Sequence, residues 1–156
     1  MYSPDFEGRL NTASKIVDPH LNCHGLTFYL LGLRNMDEEV QVDPTARSKP
    51  LRKYFEIIEA STVPVSEAPQ EAQAFALYRH YRGEPGQGHY IHSGIIHPND
   101  RKTVIHRLDL GEPVTTMPLE EVLGHSRYNI PDAYVELRFL RIKQSGTVAN
   151  SSYTEI

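Results

Sequence analysis

The stretch that decides the fold spans residues 74 to 110 and reads AFALYRHYRGEPGQGHYIHSGIIHPNDRKTVIHRLDL. Three runs in it are typical of strands, at residues 74–81, 89–97 and 103–110, because they are short and rich in aromatic and β-branched residues. The words RGEPGQG and PND between these runs are typical of turns. Short turns join antiparallel strands, and no crossover helix separates the runs, so we expect an antiparallel sheet.

A helix is expected before this sheet, over residues 22–34. Leu26 and Leu30 belong to a set of apolar residues at the i, i+3, i+4, i+7 spacing of a buried helical stripe. Asn22 is suited to cap the N-terminus, and Asn35 is suited to end the helix. The first residue inside this helix is therefore expected to be Cys23.

A second helix is expected at about 50–60. Leu51, Tyr54 and Ile58 again have helical spacing, and a proline at the start suits the first helical turn. We therefore expect residues 36–70 to form a helical insert between the first helix and the sheet.

The remaining segments complete an α+β domain with an antiparallel sheet of about five strands. Residues 113–128 predict a short strand followed by one or two helical turns, and residues 133–142 alternate strongly enough to predict a strand. Residues 143–156 are polar and without periodicity, so we expect a loose C-terminal tail. The predicted organisation is one domain over residues 1–142, followed by that tail.

Composition excludes several classes of protein. The chain has 156 residues, a mean hydropathy of −0.46 and a formal net charge of −4. An acidic balance disfavours a nucleic-acid-binding protein, and no apolar run is long enough to span a membrane. The N-terminus lacks the pattern of a signal peptide, so we expect a cytoplasmic protein or one exported by a leaderless route. With a single cysteine, neither an internal disulfide nor a four-cysteine zinc site is possible.

The most suggestive chemistry lies at Cys23, within the word NCHGLT at residues 22–27. At the start of a helix, the sulfur lies beside unpaired backbone N–H groups and the positive end of the helix dipole. Both favour the nucleophilic thiolate. The alternative is that Cys23 is a small buried hydrophobic residue.

A reactive thiol needs a base, and the predicted strands supply histidines. Strand alternation places Tyr90, His92 and Gly94 on one side, where the missing side chain at position 94 is expected to leave an open patch beside His92. His106 is on the next strand, where it can orient His92 as the third member of a triad. A carboxylate is the commoner orienting group, so Asp109 and Glu112 are rivals.

The motifs around Cys23, His92 and His106, in this order along the chain, resemble those of the NlpC-type papain-like cysteine peptidases. That family has Asp-Cys-Ser-Gly-Leu at the start of a helix, then His-x-Gly-Ile on a strand and a further polar residue, often His after Ile. This chain has Asn-Cys-His-Gly-Leu at 22–26, His-Ser-Gly-Ile at 92–95 and Ile-His at 105–106. It also has Pro-Leu at 118–119 ahead of Arg-Tyr at 127–128, similar to the family's closing segment.

The resemblance covers residues 18 to 142 and implies a papain-like core in which the cysteine-bearing helix packs on the sheet. It implies hydrolysis of an amide bond through an acyl-thioester, commonly in peptidoglycan stem peptides, without a metal or organic cofactor. Cys23 is then the nucleophile, His92 the general base and acid, and His106 the orienting residue. The residues expected to contact substrate are His24, Gly25, Ser93 and Tyr90.

The chain departs from the family at the residues around the nucleophile. Asn22 replaces the usual aspartate, His24 replaces the usual serine, and an upstream tyrosine of the family has no clear counterpart. The expected substrate is a peptide or peptidoglycan fragment. The same thiol chemistry also serves deamidases and acyltransferases, which pass through the same intermediate.

Two alternatives do not use this mechanism. The first is a zinc site, since His20, Cys23 and His24 lie close together and three more histidines follow at 89, 92 and 97. The second is a binding module without catalysis, in which Cys23 is a packing residue and the nine tyrosines form a recognition surface.

Overall fold

The computed structural model describes residues 5–15, 23–33, 51, 53–84, 86, 88–108, 112–125, 128–143 and 154–155. The helices in this part of the chain are α1 (Phe6–Lys15) and α2 (Cys23–Leu30), with a 3-10 helix at Leu119–Glu121. The strands are β1 (Phe55–Ser61), β2 (Ala74–Tyr81), β3 (His89–Ile96), β4 (Thr103–Arg107), β5 (Val114–Pro118), β6 (Ala133–Ile142) and β7 (Thr154–Glu155).

The described strands form one antiparallel sheet in the order β5-β4-β3-β2-β6-β1-β7. The prediction of an α+β protein with an antiparallel sheet is therefore confirmed, as are the strands centred on residues 74–81, 89–97 and 133–142. The sheet has seven strands rather than about five. The two additional strands are β1 and β7.

The predicted helix at 50–60 is wrong for most of its length. Only Leu51, Lys53 and Tyr54 among its described residues are helical, and β1 begins at Phe55. β1 pairs along its length with β6, and a bulge lies between Ile57 and Glu59. Helical spacing and strand propensity coexist in this segment, and the long-range pairing with β6 decides between them. Residues 36–50 lie outside the described residues. In the described part of the predicted 36–70 insert, the strand β1 takes the place of the expected helix.

The first predicted helix is present as α2, but it ends earlier than expected. Gly32 has a left-handed φ of 76°. Its N–H donates to the carbonyl of Tyr29 (3.0 Å), and the N–H of Leu33 donates to the carbonyl of Phe28 (2.9 Å). This pair of bonds is the Schellman motif, so Gly32 and not Asn35 ends the helix. Asn22, Arg34 and Asn35 lie outside the described residues.

Two elements were not expected from the sequence. The helix α1 buries Phe6 and Ala13 against the α2 side of the sheet, and the Arg9 guanidinium lies 4.8 Å from the Tyr29 ring centre. The two residues of β7, in the predicted C-terminal tail, pair with β1. The tail prediction is thus wrong for residues 154–155, because backbone pairing needs no periodic side-chain pattern.

Two apolar clusters lie on opposite faces of the sheet. On the α2 face, Leu26 and Phe28 pack with Ala76 and Ile95 of the sheet, together with their neighbours. On the other face, Leu119 and Tyr128 pack with Phe75, Leu77 and Phe139. The central strands contribute to both clusters, since successive strand residues point to opposite faces.

One structural observation bears on the prediction that no segment spans a membrane. Neither α1 nor α2, the two α-helices of the described residues, has the length and apolar character needed to cross a membrane.

Candidate active site

Cys23 is the first residue of α2 and is partly exposed. Of the next residues, His24 and Gly25 are buried as α2 packs against β3 and β4. Gly25, expected to contact substrate, is therefore inside the protein. The buried position of His24 is also unusual, because a polar ring in an apolar interior needs hydrogen-bond partners.

His24 finds its partner on the adjacent strand. Its Nδ1 lies 2.7 Å from Ser93 Oγ, and Ser93 Oγ lies 3.0 Å from Thr27 Oγ1. The Thr27 hydroxyl in turn donates to the carbonyl oxygen of Cys23 at 2.9 Å. These three contacts join the first turn of α2 to β3. We refer to His24, Ser93 and Thr27 as the α2 relay.

The second polar group is a pair of imidazoles on β3 and β4. His92 Nε2 and His106 Nδ1 are 2.9 Å apart, and both residues are almost completely buried. Pairing of Ile95 with Ile105 places Gly94 opposite His106, so His92 lies diagonally across the ladder from His106. The predicted proximity of these two histidines is confirmed.

The imidazole pair lies among aromatic rings. The Tyr128 ring stacks on His92 with 4.9 Å between centres, and Phe75 lies 5.8 Å from His92 and 6.0 Å from His106. Burial and, to a smaller extent, the nearby His125 together lower the pKa of His106 from 6.5 to about 4. His106 is therefore a neutral imidazole at pH 7, as an orienting residue should be.

The α2 relay and the imidazole pair lie on opposite faces of β3. Leu77 pairs with His92 but Tyr78 pairs with Tyr90, so Ile91 is an extra residue in β3. This bulge puts Tyr90 on the α2 face and His92 on the other face, whereas uninterrupted alternation predicts that they share one. Ser93, next to His92, then points toward α2.

The expectation of an open patch at Gly94 is also wrong. A Cβ atom at this position would lie 2.6 Å from Phe75 Cε1, 2.8 Å from His106 Cβ and 2.9 Å from the Ile105 carbonyl oxygen. The space left by the missing side chain is filled by these neighbours. Gly94 thus permits close packing of His106 and Phe75 against β3, and it offers no room for a substrate beside His92.

The other residues expected to contact substrate also have partners inside the protein. Ser93 is fully buried in the α2 relay. Tyr90 is 1% exposed, and its hydroxyl accepts a hydrogen bond from Arg138 Nη1 at 2.8 Å. Glu112 is exposed, and Asp109 lies outside the described residues. Of the three candidate orienting residues, His106 is thus the one seen bonded to His92.

Two contributions to the site were not found from the sequence. Thr27 connects Ser93 to the Cys23 carbonyl, and its position four residues after Cys23 was the available signal, since i and i+4 share a helix face. Tyr128 stacks on His92 although it is 36 positions away along the chain. No local pattern indicates that contact.

The zinc alternative gains no support from the described part of the chain. Within those residues, no three side chains of His, Cys, Asp or Glu come together in a way that could hold a metal ion. His20, one of the proposed ligands, lies outside them.

The comparisons with known proteins give no relative for this site. No family model, no curated protein and no solved structure matches the chain. The chemistry of the site therefore has to be argued from its own residues and geometry.

Proposed function

We propose that this chain is a cysteine hydrolase that cleaves an amide bond through an acyl-thioester on Cys23. The observation that supports the proposal most directly is the hydrogen bond between His92 and His106, at 2.9 Å. A base oriented by a further polar group is the arrangement typical of nucleophilic catalysis. The resemblance to NlpC-type peptidases supports the same reaction and a peptide or peptidoglycan fragment as substrate.

In this mechanism the Cys23 thiolate attacks the carbonyl carbon, and the amine leaves after it receives a proton. Water then attacks the thioester and releases the acid. An imidazole takes the thiol proton and returns it to the leaving amine, a role that the family resemblance gives to His92. The backbone N–H groups at the start of α2 stabilise the oxyanion. No metal or organic cofactor takes part.

The role of His92 as the base depends on where its ring lies relative to Cys23. The Tyr128 ring stacks on it, and His106 bonds to its Nε2. Proton transfer from Cys23 to His92 requires the two side chains to come within hydrogen-bond reach or to share one water. The nucleophile and the base therefore have to be tested separately.

The proposal is tested by activity on muropeptides, with mass spectrometry of the released fragments. We expect the wild-type chain to release a new amine, Cys23→Ser to release none, and EDTA to leave the rate unchanged. Glutamine-containing proteins and acyl acceptors, tested in parallel, identify a deamidase or an acyltransferase. No turnover of any of these, together with slow alkylation of Cys23 below pH 8.5, would contradict the proposal.

A second candidate is a binding module that retains the fold without catalysis. The observation that favours it is the almost complete burial of His92 and His106, at 1% and 0% exposure. A buried, mutually bonded pair of this kind can serve packing alone. This candidate predicts that alkylation of Cys23 is slow and does not depend on any histidine.

A further inference from the structure

We propose that a row of aromatic and basic side chains on β2 and β6 binds an acidic peptide, with Arg82 holding a carboxylate and Tyr134 contacting the side chain next to it. The row contains neither Cys23 nor the imidazole pair. The proposal therefore goes beyond the proposed function and does not depend on whether the chain is a hydrolase.

This row, which we call the ring row, consists of Tyr78, His80, Arg82, Tyr134 and Arg138. β2 and β6 pair with His80 opposite Tyr134. Alternate residues of a strand point to one face, so Tyr78 and Arg82 share the face of His80. For the same reason Arg138 shares the face of Tyr134. Tyr78 packs against the apolar cluster that contains Leu26 and Phe28, which places the ring row on the α2 face of the sheet.

Each member of the ring row lies against the next. The Arg82 guanidinium carbon lies 5.0 Å from the centre of the Tyr134 ring, which stacks on His80 at 4.7 Å with 12° between the planes. The His80 ring lies 4.8 Å from Tyr78, and the Arg138 guanidinium lies 4.0 Å from the Tyr78 ring centre. These contacts order the side chains before a ligand binds, and a pre-ordered surface loses less conformational freedom on binding.

The two cations of the ring row differ in charge compensation. Arg138 is half-buried, and its Nε donates to Glu136 Oε1 at 2.6 Å, so its charge is already balanced. Arg82 is exposed, and within the described residues it makes no ion pair with a carboxylate. Tyr134, beside it, is 37% exposed. The ring row therefore ends in an available guanidinium next to an exposed aromatic ring.

An acidic peptide is the partner that this end fits best. A guanidinium binds a carboxylate through two parallel N–H···O bonds, and Tyr and Arg are enriched where proteins bind one another. The chain as a whole carries a formal net charge of −4, so an acidic partner needs a local cation to hold it. From Tyr78 to Arg82 the ring row extends about 13 Å, which is the length of about four residues of an extended peptide.

Single-stranded nucleic acid is the other polyanion that aromatic surfaces bind, and it does so by stacking bases on exposed ring faces. The Tyr134 ring already stacks on His80 and lies under Arg82. The Tyr78 ring is likewise covered by the Arg138 guanidinium. The ring row thus offers ring edges and a cation to a ligand, an arrangement that favours a carboxylate over a stacked base.

The test is fluorescence anisotropy with two fluorescein-labelled, C-terminally amidated peptides, Glu-Tyr-Glu-Tyr-Glu and Gln-Tyr-Gln-Tyr-Gln. The second peptide keeps the size of the first and removes its carboxylates. The full chain carries Cys23→Ser throughout, so that no turnover consumes the probe. Arg82→Gln removes the guanidinium of the ring row. Lys102→Gln is the matched control, because it removes one exposed charge from the turn between β3 and β4.

We expect the Glu peptide to bind saturably and the Gln peptide to bind about tenfold more weakly, because only the former has charge-assisted bonds to make. Arg82→Gln should weaken binding of the Glu peptide about tenfold and leave the Gln peptide unchanged, whereas Lys102→Gln should affect neither. The proposal is overturned if neither peptide saturates the protein, if both bind equally well, or if Lys102→Gln costs as much as Arg82→Gln.

Tyr134→Leu tests the aromatic part of the ring row, with far-UV circular dichroism to establish that each variant is folded. We expect it to weaken both peptides about fivefold, since an exposed tyrosine ring contributes contact area that does not depend on charge. Unchanged affinity in folded Tyr134→Leu would remove Tyr134 from the binding surface. Tighter binding of a single-stranded oligothymidylate, lost in Arg82→Gln, would assign the ring row to nucleic acid and overturn the proposal.

Discussion

Gly94 is the residue that allows the imidazole pair to form. The predicted turn between the two strands was sufficient to bring His92 and His106 together, because a short connection makes adjacent strands neighbours. The side of the sheet on which they lie was not predictable, because the bulge at Ile91 interrupts the alternation without a local signal. The sequence therefore predicts the pair correctly and its surroundings incorrectly.

Replacing Gly94 by alanine should lower the free energy of unfolding by about 1–3 kcal/mol, the usual cost of overpacking. The added methyl group would meet Phe75, His106 and the Ile105 carbonyl oxygen at less than 3.0 Å. The measurement is urea-induced unfolding. Gly83→Ala is the matched control, since nothing lies within 4 Å of a Cβ at that position. Equal stability of the two variants would contradict the packing described here.

His106 should make the protein less stable in mild acid. Its pKa is about 4 in the folded protein, against 6.5 for an ordinary histidine, so the unfolded chain binds more protons between these values. Stability is therefore lost as the pH falls from 6.5 toward 4. We expect His106→Asn to remove about 2 kcal/mol of this loss between pH 7 and pH 4.5.

The difference in unfolding free energy between wild type and His106→Asn, measured at several pH values, isolates this contribution. Carboxylates with lowered pKa values, such as Glu136 and Asp100, lose their contribution at lower pH in both proteins. A difference that does not change from pH 7 to pH 4.5 would show that His106 is not held neutral.

At the scale of elements, segments with one strong pattern were predictable and segments with two compatible patterns were not. β2 and β6 agree with their expected bounds because aromatic and alternating residues favour only a strand there. β1 carries apolar residues at helical spacing as well as two adjacent isoleucines, and its pairing with β6 is a long-range event. The spacing of apolar residues within a segment does not indicate which distant strand will pair with it.

The end of α2 gives a prediction at this scale. Gly32→Ala should destabilise the protein by about 1 kcal/mol, because its φ of 76° lies in the left-handed region that disfavours a side chain. Thermal unfolding monitored at 222 nm measures the change. Gly124→Ala is the control, because Gly124 is not among the described glycines with positive φ, and a Cβ there has open space. An unchanged Gly32→Ala would mean that the Schellman motif does not hold the helix end.

At the scale of the whole molecule, one sheet supports two apolar clusters. Leu26 packs on the α2 face and Leu119 on the other, and both are 1% exposed. Since β2 and β6 contribute residues to each cluster, the two faces should unfold together. The sequence predicts α2 and most strands, but not this division of the core, because the division depends on which face each residue of the strands takes.

Leu26→Ala and Leu119→Ala should each lower the unfolding free energy by about 2–5 kcal/mol, the range for leucine removal from a core. Both should shift a single transition, seen equally by circular dichroism and by tyrosine fluorescence in urea. If Leu119→Ala produced a second transition, with the α2 side still folded, the two faces would be independent units.

The extra residue in β3 changes which of its side chains share a face of the sheet. Because Ile91 is extra, Tyr90 and His92 lie on opposite faces although they are two positions apart, which an uninterrupted strand does not allow. As β3 stands, Ser93 bonds to His24 of α2, and His92 stacks on Tyr128. A chain lacking Ile91 would keep both pairs, Leu77 with His92 and Tyr78 with Tyr90, and the two β3 residues would then alternate as ordinary neighbours. The surroundings of each side chain in β3 therefore depend on the number of residues along the strand as well as on their chemistry.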